Sequence, residues 1–280
     1  MRFVPAPDVT PRSLILLAPA RAEAPSCFLH VEEDPNRYLA LLSQMQMLRG
    51  AIYLRDGAVR RSELLPDGRH HQLIDDTSWH VLAIDREGRV CGGARYHRTS
   101  NQAGFSGLGL ATSSMAQCDV WGRKLRAAVE ADRRLAGARG VSYVEFGGWA
   151  LAEELRCSIE GLRIALAMYG LAQNLGGCIG VSSATRRHHS SSILRRIGGR
   201  PLVAEGVELP AYYDAQFSCQ MEILRFDSAS PNPRYEAWID DIRAHLLTTP
   251  VIRSQYRPAR WETAMEPVDV SLGQHKSLSR

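Results

Sequence analysis

The chain has 280 residues, 45% of them hydrophobic and 23% charged, with a formal net charge of +4. That composition excludes a disordered chain and suits one large domain, or one domain with extensions. Six scattered cysteines (Cys27, Cys91, Cys118, Cys157, Cys178 and Cys219) with no C-x-x-C pair argue against a zinc site or disulfide framework and for a reducing cytoplasm. No apolar run reaches the roughly 18 residues of a membrane span. The run Ser13–Pro19 is too short and lacks the basic flank of a signal peptide. Of 34 basic residues only Lys124 and Lys276 are lysine. Arginine suits bidentate phosphate and carboxylate contacts, and coding bias explains the excess equally well.

In residues 1–36 the prolines at positions 5, 7, 11, 19, 25 and 35 exclude a long helix. This stretch reads as an extended segment with one strand at Leu14–Leu17. Asp34-Pro35 is a helix start, and apolar spacing predicts a helix from Asn36 to Tyr53 that buries Tyr38, Leu41, Leu42, Met45 and Leu48. Residues 56–75 read as a polar loop. Trp79–Asp85 and Arg89–His97 form an antiparallel hairpin around Arg86-Glu-Gly, and a helix spans Asp119 to Ala136.

Val141–Leu151 alternates as a strand: Val141, Tyr143 and Glu145 face one side, Ser142, Val144 and Phe146 the other. Gly147-Gly148 then marks a bulge or a close approach to the backbone. An almost wholly apolar helix, Ser158–Leu175, and a strand, Cys178–Ala184, complete a right-handed βαβ unit with parallel strands. A short helix covers His189–Ile197, and a short strand is expected near Pro201–Val203. Phe217–Phe226 is read as the final strand and Ser230–Leu247 as a C-terminal helix. Beyond Thr249 the chain is expected to be irregular, docked if at all by Tyr256 and Trp261. The domains expected are thus an extended segment 1–36, a domain 37–227, a helix 228–248 and a tail 249–280.

Residues 141–199, with Ser190–Leu202 as closing helix and turn, resemble the second half of the GNAT acyltransferase superfamily, and the likeness covers roughly residues 37–227. The resemblance implies α/β architecture: a mixed twisted sheet flanked by helices, with a V-shaped gap between two parallel strands that takes a pantetheine arm. Gly92–Thr99 further resembles the acyl-homoserine-lactone synthases and the long-chain N-acyl amino acid synthases, with Arg49, Tyr53 and Glu145 matching that branch. Three positions depart: Gly148 replaces an arginine, Arg98 replaces a proline, and Leu194 stands where many GNATs carry a tyrosine.

What this implies is N-acyl transfer from a pantetheine thioester to a primary amine, with no permanently bound cofactor and acyl-phosphopantetheine, on acyl-carrier protein or CoA, as co-substrate. Glu145 is the expected base, since a carboxylate in an apolar strand is raised toward neutrality; pairing with an arginine is the structural alternative. Amides near Gly147–Trp149 are expected as oxyanion donors. Phe146, Gly147, Gly148, Trp149, Gly161 and Arg163 are expected to meet the donor. The start of the helix, Ser158–Arg163, keeps one glycine but sets Glu160 and Arg163 beside the anion site, and packing explains Gly161 equally well. Arg95, Trp79 and Arg49 are expected to meet the acceptor, with a structural ion pair as the alternative for Arg95. Arg186, Arg187, Arg195 and Arg196 form a basic cluster suited to an acidic carrier protein, or only a solvated face. His188-His189 lacks partners for a metal set, and no nucleic-acid signature is present. An acetyl-CoA-dependent N-acetyltransferase and a silent GNAT-fold module are the alternatives.

Overall fold

The computed structural model describes residues 13–100 and 103–255. Asp34 caps α1 (Pro35–Arg55) as the sequence predicts, its side chain accepting from the Arg37 amide at 2.9 Å, with Pro35 supplying the helical φ of a first position. The strands are β1 (Ser13–Leu17), β2 (Val31–Glu33), β3 (Trp79–Ile84), β4 (Val90–Arg98), β5 (Ser142–Leu151), β6 (Cys178–Thr185), β7 (Arg200–Pro201), β8 (Val203–Ala204), β9 (Val207–Glu208), β10 (Tyr212–Asp214), β11 (Cys219–Asp227) and β12 (Val251–Arg253). The remaining helices are α2 (Trp121–Ala138), α3 (Glu160–Asn174), α4 (Ser190–Arg196) and α5 (Glu236–Leu247).

One mixed sheet runs β10-β11-β6-β5-β4-β3-β1-β12-β2, with β7 also on β11, and β8 and β9 form a small hairpin apart. Most neighbours are antiparallel; β5–β6, β1–β12 and β12–β2 are parallel. Two expectations are corrected. Val251–Arg253 is not irregular: it is a strand inserted between β1 and β2, its apolar pair Val251 and Ile252 wholly buried. Phe217–Phe226 is therefore not the last strand. Since β1 lies between β3 and β12, both ends of the described chain belong to the central sheet. Tyr256 and Trp261 lie outside the described residues. Among those residues no helix is long and apolar enough to cross a membrane.

The alternation in β5 sorts the two faces. Val144 packs with Leu16, Val81, Tyr96, Ile164 and Leu171 in the core under α3 and α5. Tyr143 packs with Ile179, Val181, Leu125 and Val129 under α2, and farther along the same face Leu82 and Leu17 meet Tyr38, Leu42 and Met45 of α1. At Gly148 the alternation breaks. Gly93 pairs with Ala150 and Arg95 with Gly147, so β5 carries one residue more than β4, and Gly148 takes φ +62. An extra residue reverses the facing of everything after it. Trp149 and Leu151 consequently share the face of Phe146, against α3.

β5 and β6 pair only from Ser142–Cys178 to Glu145–Val181. Past that point β5 stays with β4 and β6 stays with β11. The parallel strands therefore fork at Glu145.

Candidate functional site

On the α1 face the polar side chains gather around Asp75, in the loop ahead of β3. Asp75 is wholly buried and accepts from five donors. Oδ1 takes Arg49 Nη1 at 3.0 Å and Arg95 Nη1 at 2.9 Å; Oδ2 takes Arg49 Nη2 at 2.6 Å, Gln46 Nε2 at 3.1 Å and the Gln72 amide at 3.0 Å. Burial alone would raise this carboxyl, but the hydrogen bonds and charge of Arg49, then the charge of Arg95, together hold it well below the usual carboxylate range. Arg49 also donates to the His70 carbonyl and Arg95 to Gln72. His80 reaches the Asp75 carbonyl at 2.9 Å, and burial first of all pushes both His70 and His80 down to about 4.

Both guanidiniums lie against the bulge of β5. A Cβ on Gly147 would sit 3.3 Å from Arg95 Nη2, and one on Gly148 would sit 3.3 Å from Arg49 Nη1 and from the Arg95 Cβ. The glycine pair is thus closely packed by its own neighbours, and at Gly148 the φ of +62 favours glycine as well. Tyr53, one turn beyond Arg49 on α1, touches the same bulge through its hydroxyl, 3.4 Å from the Trp149 carbonyl. Of the three residues expected to meet an acceptor, Arg49 and Arg95 come together and Trp79 does not. Trp79 pairs across from Tyr96, one residue out of phase with Arg95, so its ring packs with Phe28 in the core beneath α3 and α5.

Glu145 stands at the fork on the α1–α2 face, 8% exposed. Its two oxygens accept from consecutive backbone amides, Oε2 from Gly109 at 2.8 Å and Oε1 from Leu110 at 3.0 Å. The carboxylate is therefore held in one orientation. Opposite it in β4 is His97.

Of the expected donor residues, Gly147 and Gly148 lie against the two guanidiniums, while Phe146, Trp149 and Gly161 lie on the other face of the sheet. Phe146 leans over Gly180 of β6, its ring 2.5 Å from where a Cβ of Gly180 would be, and meets Tyr96 and Phe226 edge-on. Trp149 and Leu151 lie 3.5 Å from a Cβ placed on Gly161, so the start of α3 lies against β5 with room for a Cβ there. At that start Glu160 is buried, its amide bonded to Ser158 Oγ at 3.2 Å and its carboxylate bonded by Arg163 at 3.0 Å. The positive end of the α3 dipole therefore already has a carboxylate of its own.

The four arginines expected on a carrier patch divide. Arg186 and Arg195 share Glu222, at 3.2 and 2.7 Å. Arg187 ties the end of β6 to the end of α1, donating to the carbonyls of Asp56, Phe217 and Ser218. Arg196 is exposed.

No protein-family model matches the sequence, and no curated protein matches it. Solved structures do match. BjaI, a CoA-dependent acyl-homoserine lactone synthase, with SAM and isopentyl-CoA, superposes at a TM-score of 0.52 and 15% identity over 89% of this chain and 95% of that one. The same synthase with MTA gives 0.51 and 14% over the same shares. FeeM, an N-acyl amino acid synthase from uncultured soil microbes, gives 0.44 and 12% over 71% of this chain and 89% of that one. At such identities a match speaks for fold. The chain has the GNAT-like mixed α/β fold of the acyl-homoserine lactone synthases.

Proposed function

We propose that the chain is an N-acyltransferase that moves an acyl group from a pantetheine thioester to a primary amine, such as an amino acid or its derivative. The observation that carries this reading is the fork: two parallel strands part at Glu145, where a fixed carboxylate and two buried guanidiniums face one side. The pantetheine arm enters the gap past Phe146, Gly147, Gly148 and Trp149, whose strand amides serve the developing oxyanion. Glu145 is the catalytic carboxylate. Each oxygen accepts one amide and keeps a lone pair, with which the carboxylate holds the acceptor ammonium. Arg49 and Arg95, braced by Asp75, shape the acceptor side and supply positive charge toward an acceptor carboxylate.

Acyl-carrier protein is favoured as donor. Glu160 and Arg163 fill the start of α3, where the pyrophosphate of CoA would lie, whereas a carrier protein brings a single phosphate there. The exposed Arg196, with Arg186 and Arg195 sharing one carboxylate between them, leaves a net positive surface for an acidic carrier. BjaI was solved with isopentyl-CoA, which keeps acyl-CoA as the second reading. Release of free thiol from an acyl thioester tests the activity: it should depend on added amine. Thioester left intact by every amine would support a silent binding module instead. Matched acyl groups on the two carriers, at low and high salt, test the donor. A lower KM for acyl-CoA with no salt effect on the carrier reaction would promote CoA.

A further inference from the structure

His97 lies at the fork and has no part in the account so far. In β4 it is directly opposite Glu145, so the two side chains share the α1–α2 face at the last paired step of β5 and β6. Residues opposite one another in an antiparallel pair have Cβ atoms about 4.5–5.5 Å apart.

Its hydrogen bonding fixes its tautomer. Ser78 is wholly buried, and its hydroxyl proton is donated to the Ile74 carbonyl, which can only accept. The 3.0 Å contact between Ser78 Oγ and His97 Nδ1 must then have the ring as donor. His97 therefore carries its proton on Nδ1, and Nε2 carries the lone pair. β4 lies between β3 and β5. With Nδ1 engaged by Ser78, just ahead of β3, Nε2 is the ring nitrogen that bond does not use, and the register sets His97 beside Glu145. The ring is half-buried. Glu145 accepts one amide on each oxygen, from Gly109 and Leu110.

We propose that His97, through Nε2, is the base that takes the proton from the acceptor ammonium while Glu145 holds that ammonium at the fork. The assignment rests on the N-acyl-transfer reading. The ammonium gives one proton to Nε2, and its freed lone pair forms the C–N bond to the thioester carbonyl. The C–S bond breaks, the thiolate leaves with a second amine proton, and the third stays on the amide. His97 then returns its proton to solvent. Burial, and next the Arg95 charge, lower the pKa of the ring, which keeps it unprotonated at neutral pH. Ser78 bonds the ring from the β3 side, Arg95 on its own strand is the charge that acts on it, and Glu145 is its register partner on β5.

Two measurements test this. Nitrogen-resolved NMR of the wild-type imidazoles should show His97 as the Nδ1–H tautomer; an Nε2–H tautomer overturns the proposal whatever the activity. His97→Asn, whose side-chain NH2 matches Nδ1 and still donates to Ser78, should lower kcat about a hundredfold or more, with donor KM unchanged and the acidic limb of the pH profile lost. Wild-type kcat and pH profile in H97N overturn the assignment and leave acyl transfer standing. If the wild type itself transfers to no amine, acyl transfer falls and this assignment falls with it.

Discussion

Asp75→Ala removes the one carboxylate that faces two buried guanidiniums. The Arg49 and Arg95 side chains are 0% and 7% exposed, so water cannot replace what the carboxylate supplied. Removing one partner of a buried ion pair costs about 3–5 kcal/mol, because a charge is left without compensation. Here two charges are left, and Gln46 and the Gln72 amide lose an acceptor as well, which puts D75A at or above the upper end. That is a large part of the roughly 5–15 kcal/mol that holds a typical domain folded. At about 2–4 °C per kcal/mol for a chain of this size, thermal melting followed by circular dichroism should drop by about 10 °C or more. Replacing the whole triad by apolar side chains (R49M, D75L, R95M) should recover much of that loss, since well-packed apolar groups often match a buried ion network. The triple variant should still lack activity if the guanidiniums receive an acceptor. A D75A protein that melts with the wild type would refute the reasoning, as would an active triple variant.

Glu145→Gln places an NH2 where the carboxylate accepts from Gly109 or Leu110, so it should cost about 1–3 kcal/mol and also lower turnover per folded molecule about 10²-fold or more. Wild-type turnover in folded E145Q would make Glu145 a loop anchor only. Gly148→Ala should destabilise by about 1–2 kcal/mol, since φ is +62 and the new Cβ meets Arg49 and Arg95; unchanged denaturation would contradict the bulge geometry. His70 and His80 lie near 4 when folded against about 6.5 unfolded, so the folded state binds fewer protons between these values. Stability should be full above about pH 6.5 and fall as pH drops from there toward about 4, with a shallower fall in His80→Gln; equal denaturation midpoints at about pH 7.5 and 5 would deny the burial of these rings.

Much of this was legible in local pattern. The period of two in Val141–Phe146 fixed which side chains share a face, and the glycine pair announced the bulge. Asp34-Pro35 announced α1. What the pattern could not carry was pairing over distance. β12 is three residues long, too short for any period, and it exists because β1 and β2 flank it. Asp75 lies in a stretch with no periodicity, and no local feature separates it from Asp76. A signal was nonetheless present: Arg49 falls on the Tyr38–Leu42–Met45 stripe of α1, and an arginine on a buried stripe demands a buried acid. Counting from Arg95 through the hairpin register places Trp79 on the opposite face. The anchoring of Glu145 by Gly109 and Leu110 spans 36 and 35 residues and follows only from the folded chain.

The central claim is that a thioester's acyl group ends on an amine. Intact mass spectrometry of small-molecule products, after incubation with mixed acyl-CoA and acyl-carrier donors and a panel of amino acids and derivatives, tests it directly. The account predicts a new species heavier than one of the amines by the acyl group less one hydrogen, absent without protein and strongly reduced with E145Q. Folded protein that leaves every amine unmodified, or that yields only free acid from the thioester, would contradict it.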